Sequence, residues 1–163
     1  MSILEKIKSK IFSIDEFIPK VNRWKDLGYS IVFTNGCFDI LHKGHIEMLS
    51  ASANLGDKLI VGINSDSSIN KLKGKSRPIL DEETRSILIS SLSFVDAVIL
   101  FSEKTPINLI NKIVPDILTK GGDYKKEKVV GYKKVDETGG EIIIIPLTEG
   151  FSSTNIIEKI KKI

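Results

Sequence analysis

At 163 residues, 41% hydrophobic and 28% charged, the chain is long enough for one domain with a buried core, and its many Ile, Leu and Val runs exclude a disordered polypeptide. Twenty-four basic residues against 21 acidic leave a net charge of only +3, too little for the broad electrostatic footprint of a nucleic-acid binder. A single cysteine forms no internal disulfide or cysteine-based zinc site, and no apolar run approaches the roughly 20 residues that cross a bilayer, so a cytoplasmic protein with no membrane or nucleic-acid partner is expected.

From the N-terminus, Ile3, Leu4, Ile7 and Ile11 set among Lys and Glu predict a short amphipathic helix. Ser13 ahead of Ile14-Asp15-Glu16 is an N-cap with acids in the first turn; the helix it opens runs to about Leu27, with Val21, Trp24 and Leu27 as its buried stripe and Gly28 as its stop. Residues 1–28 are thus expected to be a helical extension of a single domain spanning 1–163. The apolar run from Ile31 breaks at Asn35-Gly36 and delivers His42-Lys43-Gly44-His45, which reads as a strand, a tight turn and a helix start. That helix runs from about Lys43 to Leu55, with Ile46, Leu49 and Ala53 on one face. Continuous apolar strands follow at Lys58 to Ile63, Val98 to Phe101, Ile117-Leu118 and Ile142 to Ile145, alternating with helical patterns at Asp81 to Leu92, Pro106 to Ile113, about Val129 to Thr138, and Ser153 to the end. Strand and helix in alternation predict an α/β protein: a doubly wound, Rossmann-like parallel sheet of about five strands, with its ligand at the strands' carboxyl ends.

The chemistry gathers at those ends. A strand feeding a helix through glycine presents free backbone N–H groups and a positive dipole end, a place for phosphate. His42 and His45 share one face of the opening turn and read as a phosphate clamp; with no third His and only one Cys in the chain, no protein metal site is expected. Cys37 lies in the loop between that strand and helix without a neighbouring base to activate it, so it reads as a small lining side chain and not as a nucleophile. Asp39 is open to two readings, base or hydrogen-bond acceptor. Lys73, Lys75 and Arg77, shaped by Gly74 and Pro78, follow Asn64-Ser65-Asp66 and can reach into the same cleft, whereas Lys125, Lys126 and Lys128 read as solvated. Lys120-Gly121-Gly122-Asp123 follows a buried strand where glycines let backbone approach a ligand, and Ser152-Ser153-Thr154 caps the last helix.

Thr34 to Asp39 followed by HxGH resembles the signature of the HxGH nucleotidyltransferase superfamily. Residues 62–66 (GINSD), 73–78 (KGKSRP), 120–124 (KGGDY) and 150–154 (GFSST) then resemble, in order, the successive blocks of the adenylyltransferase domain of bacterial ADP-heptose synthases, from about Tyr29 to the C-terminus. The resemblance implies strand order 3-2-1-4-5, counted from the signature strand. It implies transfer of AMP from ATP to D-glycero-β-D-manno-heptose 1-phosphate with release of pyrophosphate, Mg²⁺ escorting the triphosphate. It assigns catalysis to His42, His45 and Lys73. Nucleotide contacts fall to Phe33, Thr34, Asn35, Gly36, Cys37, Phe38, Asn64, Asp66, Gly121, Gly122, Asp123, Ser152, Ser153 and Thr154, and acceptor contacts to Asp39, Lys75, Arg77 and Lys120. Leu147 stands where glycerol-3-phosphate cytidylyltransferases resemble this segment with an arginine, which argues against CTP with glycerol 3-phosphate. Two rival readings stay open beside it: GTP with an α-heptose phosphate, and a nucleotide-binding regulator without catalysis. Because bifunctional relatives carry a sugar kinase ahead of this domain, a separate kinase is expected; a homodimer is expected as well.

Overall fold

The computed structural model describes residues 1–163. In chain order the elements are α1 (Ile3–Lys8), β1 (Ile11–Phe12), α2 (Ile14–Asp26), β2 (Ile31–Gly36), α3 (Lys43–Ala53), β3 (Lys58–Asn64), α4 (Asp66–Lys73), α5 (Glu82–Ser90), β4 (Ala97–Phe101), α6 (Ile107–Ile113), β5 (Ile117–Gly121), a 3₁₀ turn (Lys126–Lys128), α7 (Tyr132–Glu137), β6 (Glu141–Ile145) and α8 (Ser153–Ile160). All six strands are parallel, in the order β1-β4-β3-β2-β5-β6.

The five strands β4-β3-β2-β5-β6 reproduce the expected order around β2; the sixth, β1, is the correction. Ile11 does not continue the first helix. That helix ends at Lys8, and Ile11 and Phe12 pair with Val98 and Ile99 as an added edge strand, so the N-terminal extension is not purely helical. Lys10 fixes the junction: its Nζ donates to the carbonyls of Leu92 (3.2 Å) and Val95 (2.8 Å), closing the end of α5 and the loop that follows it.

Alternate strand residues face opposite layers, as the two-residue period of a strand requires. Ile31, Phe33, Ile60 and Ile99 pack under α2, α6 and α7 through Phe17, Val21, Ile110, Ile113 and Val135. Val32, Leu59, Val61, Ile63 and Val98 pack under α3 and α5 through Met48, Leu49 and Ile89. In α2 the buried side chains are Phe17 and Val21, and Leu27, expected in the stripe, is 63% exposed because it is the C-cap of the helix. In α3 the buried face is Met48, Leu49 and Ser52, one position round from the expected one; Ser52 bonds the Met48 carbonyl (2.9 Å) and the Thr119 hydroxyl (2.8 Å). No helix is long and apolar enough to cross a membrane.

Helix α4 was not expected from sequence. Ser65 caps it by accepting from the Ser68 N–H (3.2 Å), and Ile69 is its one fully buried apolar anchor. Its last residue is Lys73, after which Gly74, at φ +91°, turns the chain in a conformation that a side chain resists.

Candidate active site

The carboxyl end of β2 leads into a loop and then α3, and this loop is held against its own preferences. Phe38 sits at φ +47° in the left-handed region, a cost of order 1–3 kcal/mol met by burying its ring. His42 takes the N-cap position of α3 without capping it through its side chain, which leaves first-turn amides free for an anion. Gly44 sits at a close approach: a Cβ there would lie 3.2 Å from Phe151 Cβ and 3.3 Å from the His42 ring, so both would have to give way by a few tenths of an ångström. The two imidazoles stack, with centroids 3.7 Å apart at 19°, and Phe38 meets His45 edge-on at 5.1 Å. Nδ1 of each histidine is buried and without a hydrogen-bond partner, so each ring holds a polar atom in reserve. Burial pushes His45 down from 6.5 to about 4, helped by the neighbouring His42 and Lys73 charges, and burial lowers His42 as well. Both rings are therefore neutral at pH 7.

Two chambers meet at this pair. A cleft of about 520 Å³ is bounded by Asn35, Gly36, Cys37, Phe38, Asp39 and His45, by Asn64 and Lys73, by Lys104, Thr105 and Pro106, and by Lys120, Tyr124 and Ser153. A smaller chamber of about 230 Å³ lies between α3 and the start of α8, bounded by His42, Gly44, His45, Met48, Lys73, Leu147, Thr148, Phe151 and Ser152 to Thr154. His45, Lys73 and Ser153 line both. Ser152 caps α8 by accepting from the Asn155 N–H (3.0 Å), and Ser153 ties that helix to the signature loop by donating to the Ile40 carbonyl (3.2 Å).

The remaining sequence-derived candidates have other work. Phe33 and Thr34 are wholly buried and line neither chamber; the Thr34 hydroxyl donates to the Thr119 carbonyl at 3.2 Å. Asp39 accepts from Arg77 Nε (2.5 Å), the Ile79 N–H (2.7 Å) and the Leu80 N–H (3.0 Å), so it holds down the base of the 74–80 loop. Burial alone would raise its carboxyl, but the Leu80 N–H, the Arg77 guanidinium and the Ile79 N–H together bring it below the usual range. A carboxylate so occupied is a poor proton acceptor. Lys75 is exposed on that loop, away from both chambers, and Asp123 is likewise exposed. At Gly121 and Gly122 a Cβ would meet Leu147 and Tyr124 at 2.9 Å, which makes them close-packing positions. Cys37 Sγ lies 3.8 Å from Asn64 Oδ1, and Asn64 is itself oriented by donating to Ser68 Oγ (3.0 Å).

Sequence reasoning missed Lys104, Thr105 and Pro106 on the far wall, and above all Arg85. Arg85 is completely buried: it donates to the Cys37 carbonyl (2.7 Å), the Leu80 carbonyl (3.0 Å) and Asp66 Oδ1 (2.8 Å). Asp66 is thereby a lock between α4 and α5; its own N–H donates to Glu82 (2.8 Å). A different cavity, of about 500 Å³, lies at the opposite end of the sheet, but its charges are spent: Lys25 caps the Ile113 and Val114 carbonyls and Asp116 accepts from the Ile31 N–H.

A parallel α/β sheet with a histidine-glycine-histidine helix start at its central strand defines a class, and the chain belongs to it: residues 33–159 match the cytidylyltransferase-like family. Among curated relatives it is 47% identical over 151 residues to the bifunctional protein HldE of Methylobacillus flagellatus and 47% identical over 152 residues to that of Koribacter versatilis. Those alignments take in 93% of this chain and 31% of each relative, so the chain spans under a third of their length. The solved lipopolysaccharide core biosynthesis protein of Thermoplasma volcanium superposes with TM-score 0.61 at 36% identity, covering 74% of this chain and 98% of that one. A pantoate-β-alanine ligase from Francisella tularensis superposes with TM-score 0.62 at 18% identity, covering 94% and 78%, which speaks for the fold alone.

Proposed function

We propose that the chain is a sugar-phosphate adenylyltransferase that transfers AMP from ATP to D-glycero-β-D-manno-heptose 1-phosphate. The observation that carries this reading is the stacked, neutral His42–His45 pair at the start of α3, with Lys73 and Ser153, on the boundary between two chambers. Two substrates need two chambers, and the reacting phosphorus belongs where they meet. The five ordered sequence blocks and the likeness to the HldE proteins and to the lipopolysaccharide core protein support the choice of substrates.

In the reaction an oxygen of the acceptor phosphate attacks the α-phosphorus of ATP; the new O–P bond forms as the bond to the bridging oxygen breaks, and pyrophosphate leaves with that oxygen and its electron pair. The chain's residues position the reactants and stabilise spreading charge, without covalent participation. Neutral imidazoles donate N–H groups to the phosphate oxygens, first-turn amides of α3 add backbone donors, and Lys73 supplies the positive charge. Mg²⁺ is assigned to the triphosphate, as part of the substrate. A kinase reaction must supply the sugar phosphate, and we assign it to a separate kinase; a homodimer belongs to the same proposal and sedimentation velocity tests it.

Measuring pyrophosphate from each of the four nucleoside triphosphates, against α- and β-heptose 1-phosphates and glycerol 3-phosphate, tests the whole reading. ATP with the β-heptose phosphate is expected to be the productive pair. Turnover with CTP or GTP instead, or none with any pair, overturns it.

A further inference from the structure

The two outermost strands close the sheet differently. β1 is only two residues long, and a very short edge strand is one of the usual means by which a sheet avoids recruiting another strand. β6 has no such protection: Glu141–Ile145 is five residues, four of them isoleucine, and it pairs with β5 alone. Successive residues of a parallel edge strand direct their N–H and C=O alternately toward the neighbour and away from it. The Glu141 N–H donates to the Asp116 carbonyl (2.8 Å) and the Ile145 carbonyl accepts from the Gly122 N–H (3.0 Å), so the odd-numbered residues face β5 while Ile142 and Ile144 face outward. No turn or loop residue supplies those outward groups with a partner.

The outward groups form a self-complementary set. Gly140, the next outward residue before the strand, spends its N–H on the Val135 carbonyl (2.9 Å), and Pro146, the next one after it, has no N–H. Free donors are therefore confined to Ile142 and Ile144, placed symmetrically about Ile143. A two-fold axis at Ile143 sets the strand antiparallel to its own copy. Ile142 of each copy then meets Ile144 of the other and exchanges both bonds, about four hydrogen bonds in all, while the two Ile143 residues face each other as the close pair without hydrogen bonds. Charge permits the match: Glu141, the only ionisable residue of the strand, falls opposite Ile145 of the other copy and is already 3.9 Å from Lys126, so no like charges meet. Ile143 and Ile144, both half-buried, add apolar surface on the two faces of the sheet.

We propose that β6 is an interaction surface for a second copy of this chain, the two β6 strands pairing antiparallel about Ile143 to join two six-stranded sheets into one. This gives the homodimer named above its contact surface and does not depend on the reaction catalysed. Sedimentation velocity of the wild type and of Ile144→Pro, each first checked for native circular dichroism, is the first test. Proline removes a donor that β5 does not use and is tolerated in an edge strand, so Ile144→Pro is expected to stay folded and to sediment as a monomer at concentrations where the wild type is a dimer. The second test is Ile143→Cys. Residues paired across the axis without hydrogen bonds have Cα atoms about 4.5 Å apart, within disulfide range, so mild oxidation should link two copies through position 143, located by peptide mapping. The wild type, whose only thiol is Cys37, is the control. A wild type that is monomeric throughout, a folded Ile144→Pro that dimerises as the wild type does, or the absence of a 143-to-143 link would each overturn the proposal; if Ile144→Pro does not fold, the link alone decides. Pyrophosphate release is measured separately, so the interface and the transferase reading stand or fall independently.

Discussion

His45 lies between the Phe38 edge and the His42 face, and the cost of charging it there is visible in its proton affinity, lowered to about 4. The sign of the consequence is fixed. Between pH 6.5 and about 4 the unfolded chain carries a proton on this residue that the folded chain refuses, so the stability it contributes is full above 6.5 and is lost as pH falls toward 4. Urea unfolding of the ligand-free protein should show stability falling across that window, and His45→Gln should flatten the fall; an unchanged slope in the variant would place the proton elsewhere. A second expectation concerns turnover. Removing one preorganised donor to developing charge typically lowers the rate by roughly 10² or more. His42→Ala and His45→Ala should each show such a loss with the fold intact, and near-normal rates in both would remove the phosphate clamp from the mechanism.

Between α4 and α5, one arginine holds together what the sequence left separate. The HxGH start and the buried strands were legible because their signals are local: β-branched runs covered on both faces, and glycine before a helix. Helix α4 was not, since Asp66 to Lys73 buries a single large apolar side chain, Ile69, and a 3.6-residue period cannot be read from one anchor. Strand β1 was hidden for the opposite reason: Ile11 continues the four-residue spacing of Ile3 and Ile7, so the first strand residue was absorbed into a helix pattern, and only the partner Val98 distinguishes it. Arg85, next to Glu82 and Glu83 in a polar helix start, looks solvated until tertiary structure seals it against Cys37, Leu80 and Asp66. Arg85→Met should therefore cost about 2 kcal/mol or more, because it leaves the Cys37 and Leu80 carbonyls without their donor. Chemical denaturation measures this directly, and a loss below about 1 kcal/mol would mean that the three segments hold their positions without it.

On the scale of the molecule, the histidine pair, Lys73, the α8 cap and Lys120 all converge on the carboxyl edge of one sheet, where two joined chambers meet. The opposite edge offers nothing comparable, since the Lys25 and Asp116 charges there are already satisfied by backbone groups. On the proposed reading, one such arrangement serves one displacement, at the phosphorus that the stacked histidines would hold. Transfer of the terminal phosphoryl group to a free sugar hydroxyl needs a different alignment, with a base on that hydroxyl; the carboxylate of the signature loop, Asp39, already accepts three hydrogen bonds and is ill suited to take its proton. With ATP and heptose 1-phosphate the protein should accordingly release pyrophosphate and no ADP, and with ATP and unphosphorylated heptose it should release neither. Supplying a sugar kinase, and a phosphatase where the kinase product carries a second phosphate, should restore sugar-nucleotide formation from free heptose. Phosphorus NMR distinguishes these products in one spectrum, and the appearance of ADP with a sugar phosphate from the purified chain would show that the cleft aligns the γ-phosphorus after all.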